Sequence, residues 1–259
     1  MTDVDGSVSA PKLCVAALTH SYDSLSVLEE VSLTLHQGEL VALVGPSGCG
    51  KSTMFSILTG TTTPSSGHIE LDGAPIARHT AAFAYMPQSD ALLPWRRVID
   101  NVTLGLEMQG VRRREARARV MPLLATFGLD GFARAYPFQL SGGMRQRAAL
   151  LRTVVQERSI MLLDEPFGAL DALSRIEMQT WLEDLWNRHS WSTILITHDI
   201  REAVFLADRI YVLSPRPARV TAEVRVPLPR PRSLQTMSHP DFVGIEAQLR
   251  DALASSGAL

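Results

Sequence analysis

Nine consecutive residues, Gly45, Pro46, Ser47, Gly48, Cys49, Gly50, Lys51, Ser52 and Thr53, follow the apolar run ELVALV. Glycines at 45, 48 and 50 admit positive φ and let successive backbone N–H groups turn inward as an anion nest. The next segment, KSTMFSILTG, has the apolar spacing of a helix, so its N-terminal dipole faces the same anion. Lys51 adds a mobile positive charge, and Ser52 a hydroxyl suited to Mg²⁺. The match to G-x-x-x-x-G-K-[ST], between a strand and a helix, predicts a site for a nucleoside triphosphate.

Further residues suit chemistry on such a ligand. IMLLDEP ends an apolar strand with two carboxylates, at the sheet edge where ligands of parallel sheets sit. Asp164 is the natural Mg²⁺ partner, with Ser52, and Glu165 can polarise a water for in-line attack. The same acid pair would also serve simply to cap the turn at Pro166. TILITHD ends another strand at His198, which can sense a γ-phosphate or the attacking water; read alone, it fits a helix cap or the core better. Gln88, in MPQ, sits at a strand end from which metal and water are both in reach. In QLSGGMRQR, Ser141, Gly142 and Gly143 open a helix and offer a second anion site of exposed N–H groups plus a hydroxyl. One nucleotide does not need two nests so far apart in sequence, whereas two copies placed head to tail would use both.

The elements that must position these groups alternate. LCVAALTHSY and VSLTLHQGELVALV read as strands, with Val31, Leu33 and Leu35 on one face; HIELDG and AAFAYMPQ add two more. From about Trp95 to Arg147 the pattern turns helical, as an inserted lobe. Short buried runs IMLLD, TILIT and IYVLS then alternate with two helices, which implies a parallel sheet flanked by helices. In the first of these helices Met178, Trp181, Leu182 and Leu185 share a core face. From Pro215 a proline- and arginine-rich stretch reads as an extended tail with one strand, closed by a helix in FVGIEAQLRDALA.

The 259 residues, 46% hydrophobic, suffice for one large core or a core with a lobe. A net charge of −2 gives no basic field for nucleic acid. RRREARARV, the one basic run, fits a solvated helix face. Only two lysines occur, Lys12 and Lys51, so one of them occupies the single loop position that needs one. Cys14 and Cys49 can make neither a disulfide framework nor a tetrahedral zinc site, which fits a reducing compartment. No 18-residue apolar stretch occurs.

Taken together these motifs resemble those of the ATP-binding subunits of ABC transporters, over nearly the whole chain and in that family's order and spacing. GPSGCGKST is similar to its Walker A motif, IMLLDE to Walker B, LSGGMRQR to its signature, GALD ending at Asp171 to the D-loop, and His198 to the switch histidine. Gln88 falls at the Q-loop position, and Tyr22 where an aromatic ring stacks on adenine.

The resemblance implies an α/β fold: a RecA-like P-loop NTPase core with a parallel sheet, a small N-terminal antiparallel part and an inserted helical lobe. Its expected extents are 12–215 for the ATPase domain, with the lobe near 92–155, and 216–259 for a C-terminal extension. It implies ATP and Mg²⁺ as cofactors, Glu165 as general base, and a head-to-tail homodimer with two sandwiched ATPs. In that dimer Ser141 and Gly143 grip the partner's nucleotide, and Asp171 links the two sites. It further implies a peripheral place on the cytoplasmic face of the membrane, permease subunits docking near Leu92, Leu93, Pro94 and Trp95, and indirectly an extracytoplasmic solute-binding protein. For Trp95 itself, burial in the lobe's core is an equal alternative. LLPW, DEPFGALD, SPRPARV and PLPRPRS look most like the importer branch for nitrate, sulfonates, taurine and pyrimidine cofactor precursors. Alternatives are a soluble ABC-type ATPase acting on nucleic acid or ribosomes, which would carry two modules or a long insertion, and an exporter subunit. A nucleotide-gated regulator would lack Glu165 or His198.

Overall fold

Alternating and continuous apolar runs set the order of elements in the computed structural model, which describes residues 10–76 and 81–257. These form two units, one from residues 10–76 and 183–257, the other from 81–182.

The first unit opens with β1 (Leu13–Tyr22) and β2 (Leu25–Leu35), an antiparallel pair. Val31, Leu33 and Leu35 are buried and alternate with Ser32 and Thr34, the two-residue period of a strand with one wet face. β3 (Leu40–Val44) is buried at every residue, and α1 (Lys51–Leu58) follows the glycine-rich loop. β4 (Ser66–Leu71) and β5 (Ala74–Pro75) complete an antiparallel sheet in the order β2-β1-β4-β5.

The second unit starts with β6 (Phe83–Met86) and continues into short helices: α2 (Val98–Val102), α3 (Leu104–Met108), α4 (Arg113–Val120) and α5 (Leu123–Thr126). The longer α6 (Gly142–Val154) leads to β7 (Ile160–Asp164), which pairs parallel with β6 from Phe83–Ile160 to Met86–Leu163. Two buried polar residues organise the helices. Asp100 takes hydrogen bonds from Arg117 Nε and Nη2 at 2.9 and 2.6 Å and pairs with Arg113 at 3.0 Å. Burial pushes its carboxyl upward, but these two guanidinium groups outweigh that and hold it below the usual range. Asn101 accepts the Leu93 N–H at 2.7 Å and donates to the carbonyls of Leu93 and Arg96, so the LLPWRR loop wraps around it.

α7 (Ala172–His189) follows, with Met178, Leu182 and Leu185 buried as its spacing predicts. Trp181 meets Phe127 edge-on and carries the Arg147 guanidinium over its face. The chain then adds β8 (Thr193–Thr197), α8 (Ile200–Leu206), β9 (Arg209–Leu213), β10 (Val220–Arg225) and α9 (Pro240–Ser255) to the first unit. β3 runs parallel to both β8 and β9, and β10 joins β9 antiparallel. These fully buried parallel strands have no polar alternation, which is why their sequences read as unbroken apolar runs. The single strand expected in the proline-rich tail is β10.

Candidate active site

The glycine-rich loop follows β3 because Gly48 and Gly50 have φ of +74° and +128°, where a side chain is strained. Gly50 is doubly constrained: a Cβ there would lie 2.8 Å from Leu28 Cδ2. α1 starts at Lys51 immediately beyond, so its unpaired N–H groups border the loop. Lys51 is only 5% exposed, and its Nζ donates to the carbonyls of Gly45 at 2.8 Å and Pro46 at 2.9 Å. The ammonium is thereby folded back over the loop it would serve. Cys49 is buried with its Sγ 3.9 Å from Nζ, Ser47 and Ser52 are exposed, and Pro46 and Thr53 are half-buried. Tyr22, at the end of β1, is 47% exposed and meets the His20 ring edge-on at 4.6 Å, leaving a ring for stacking. His198 is exposed at the end of β8; Asp199 supplies the cap of α8, accepting the N–H groups of Arg201 and Glu202. His198 is therefore neither core nor that helix's cap.

In the second unit, Asp164 is buried at the end of β7, and the Tyr85 hydroxyl donates to its Oδ2 at 3.2 Å. Burial, then the Asp164 charge, pushes the Tyr85 phenol up to about 12, so at neutral pH it remains a donor. Glu165 has φ of +46°, and this left-handed residue breaks the strand direction. Its Oε2 accepts from Gln88 Nε2 at 3.0 Å, which brings the two residues together. Ser141 caps α6, its Oγ accepting the Met144 N–H at 3.2 Å. A Cβ on Gly143 would meet nothing within 4 Å, so that helix start is open on one side. The Gly142 position meets only Leu170, at 3.6 Å, and Arg145. Asp171 accepts from the Ser174 N–H and hydroxyl at 3.0 and 2.6 Å, bonds that hold its carboxyl below the usual range.

The segment after Gln88 is tied to α6. Arg145 Nε donates to Asp90 at 3.1 Å, and Arg152 donates to the carbonyls of Asp90 and Ala91 at 2.6 and 2.7 Å. Trp95 is 72% exposed and so lies outside the lobe's core, whereas Leu92 is buried and packs inward. Sequence reasoning had no sign of Tyr85, Arg145 or Arg152. The only hint was position: Tyr85 lies on β6, three residues before Gln88, and both arginines lie on the helix opened by Ser141.

Chemically, the first unit offers a nest, a cation and a hydroxyl, and the second offers a buried carboxylate and a second one beside an amide. The ABC transporter family model matches residues 28–168. The taurine import ATP-binding protein TauB of Burkholderia pseudomallei is 46% identical over 215 residues, 82% of this chain and 83% of its own. The aliphatic sulfonates import ATP-binding protein SsuB of Cupriavidus pinatubonensis is 46% identical over 85% of this chain and 71% of its own. Among solved structures, a dimeric post-hydrolysis state of the ATP-binding cassette MJ0796 bound to ADP and Pi superposes with TM-score 0.72. It is 28% identical and covers 83% of this chain and 98% of its own. With the P-loop, the strand-end carboxylates and the capped signature helix all present, the chain belongs to the ABC transporter family and is an ATP-binding, ATP-hydrolysing cassette.

Proposed function

We propose that this chain energises an importer for a small sulfonate-type solute, working as a head-to-tail homodimer on the cytoplasmic face of a membrane. The observation that carries the importer reading is its 46% identity, over 82% of its length, to a taurine import ATP-binding protein. Two further facts support it. The start of α6 at Ser141–Gly143 is capped by Ser141, open at Gly143 and distant in sequence from Lys51, which suits the second anion site that a two-copy sandwich needs. No helix among the described residues is long and apolar enough to cross a membrane, so transport needs a separate permease. The exposed Trp95 beside the Gln88 segment offers an apolar contact for it.

In this reading Tyr22 stacks on adenine. The backbone N–H groups of the Gly45–Thr53 loop, Pro46 excepted, and the ammonium of Lys51 hold the phosphates. Ser52 and Asp164 would hold Mg²⁺, as hard oxygen donors matching an ion that takes one or two protein oxygens plus phosphate and water. That ion, when bound, neutralises phosphate charge. Glu165 accepts a proton from the attacking water, whose oxygen bonds to the γ-phosphorus as the bond to the β-phosphate oxygen breaks, giving ADP and phosphate. Gln88, bonded to Glu165, fixes the carboxylate's direction, and His198 donates to the γ-phosphate. Asp171 ties the two sites across the dimer.

Glu165→Gln tests the reading, because it keeps the shape and removes the base. Turnover is expected to fall at least about a hundredfold while ATP binding persists. With ATP the variant is expected to dimerise and to pull a multi-span permease from native membranes, with a binding protein that takes up taurine or another sulfonate. A variant monomeric at high ATP and protein concentration would end the sandwich reading. Recovery of ribosomal or nucleic-acid partners instead would overturn transport and leave the ATP chemistry standing.

A further inference from the structure

The motif SPRPAR, between β9 and β10, has no part in the mechanism above, yet it touches the phosphate loop. Arg216 Nη2 and Nε both donate to the Gly48 carbonyl, at 2.7 and 3.1 Å. The segment that carries Arg216 is itself fastened. Ser214 Oγ donates to the carbonyls of Pro215 and Pro217 and accepts the Arg219 N–H at 3.0 Å. Ala218 is fully buried; its N–H donates to Val27 at 2.8 Å and its carbonyl accepts the Glu29 N–H at 2.9 Å. Arg219 pairs with Glu29. The same stretch of β2 backs the loop from the other end, since Val27 and Leu28 occupy the space a Gly50 side chain would need. Leu213 does the same at Gly45, 3.0 Å from the ideal Cβ. The loop is thus gripped at its start, middle and end by one continuous brace.

The middle grip has a chemical consequence. In a trans peptide the C=O and the following N–H point in opposite directions. Holding the Gly48 carbonyl towards Arg216 therefore directs the Cys49 N–H to the opposite side, where it meets the Pro46 carbonyl at a long 3.3 Å. So stretched a bond is readily exchanged for a phosphate oxygen, and a guanidinium on the carbonyl strengthens the N–H as a donor. We propose that Arg216 is a positioning residue for nucleotide binding: it pins the Gly48–Cys49 peptide so that the Cys49 N–H is presented to the phosphates. This rests on the phosphate loop being the nucleotide site.

The test compares the full chain with Arg216→Gln, Arg216→Lys and Lys51→Ala, by calorimetric titration with ADP and by steady-state hydrolysis of ATP. Arg216→Gln is expected to raise the ADP Kd and the ATP KM about fivefold, with kcat changed less than about twofold. Arg216→Lys should recover part of the loss, because one ammonium can still reach the carbonyl. The loss should persist at about 1 M salt, where the Debye length is about 3 Å. Unchanged ADP affinity in Arg216→Gln, or a loss that disappears at high salt, overturns the proposal while the loop's role stands. If the native chain binds no ADP, or Lys51→Ala binds it equally well, the loop reading fails and this inference falls with it.

Discussion

Glu165 sits in left-handed backbone at φ +46°, a conformation that costs a non-glycine residue about 1–2 kcal/mol. The conformation turns the chain out of β7 so that consecutive carboxylates diverge: Asp164 stays buried beside Tyr85, and Glu165 reaches Gln88. Strain held at the proposed general base predicts a separation of stability from turnover. Glu165→Gly is expected to be more stable than Glu165→Gln by up to about 1 kcal/mol, since glycine enters this region without penalty but loses more freedom on folding. Both should lack turnover, and paired thermal melts with a phosphate-release assay check the two halves. Equal melting temperatures would show the turn to be unstrained. The residue types were legible in the sequence, because GKS and DE at strand ends are sequence-local patterns. Glu165's backbone angle was not, because a left-handed glutamate has no sequence signature.

Among the elements, the buried strands announced themselves as apolar runs, and α6 announced itself by Ser141 as cap. The lobe was legible only as helical. Its architecture depends on Asp100 and Asn101, polar residues in VIDNV that carry no mark distinguishing them from a helix surface. Asp100 makes a prediction with a definite sign. A carboxyl whose pKa is depressed on folding adds stability above its unfolded value, near 3.8, and loses it as pH falls through the lower folded value. Asp100→Asn should therefore destabilise the protein at pH 7, by about 1–2 kcal/mol because its arginine partners are partly exposed. The gap to the native chain should close in acid. Denaturant melts at pH 7 and below about pH 4 read this directly, and a gap that stays constant would mean the pair contributes only packing.

At the scale of the whole chain, the least legible part is the last forty residues. PLPRPRS reads only as part of an extended, proline- and arginine-rich tail. Yet Arg232 is 2% exposed and donates to the carbonyls of Val204, Phe205 and Ala207 at the end of α8, and to those of Val226 and Leu228. Burial, then the charge of Arg230, lowers its pKa to about 10, which still leaves it charged at neutral pH. Arg230 stacks on Trp186 at 4.0 Å and pairs with the fully buried Glu183 and with Asp208. α9 packs against α8, β9 and β10. Nothing in the sequence separates Arg232 from its neighbours, because its partners are backbone oxygens, and those of Val204, Phe205 and Ala207 lie 25 to 28 residues back. Arg232→Ala strands those carbonyls in the interior and is expected to cost about 3 kcal/mol or more, read as a lowered urea midpoint. An unchanged midpoint would mean that water replaces the guanidinium. Lysine is as scarce as arginine is plentiful, and one of the chain's two copies is tucked against the carbonyls of Gly45 and Pro46. A lysine-specific protease therefore has a single internal address beyond Lys12, and a cut there marks the moments when the loop lets go of its own side chain. The fold has placed its own cleavage reporter at the foot of the glycine-rich loop.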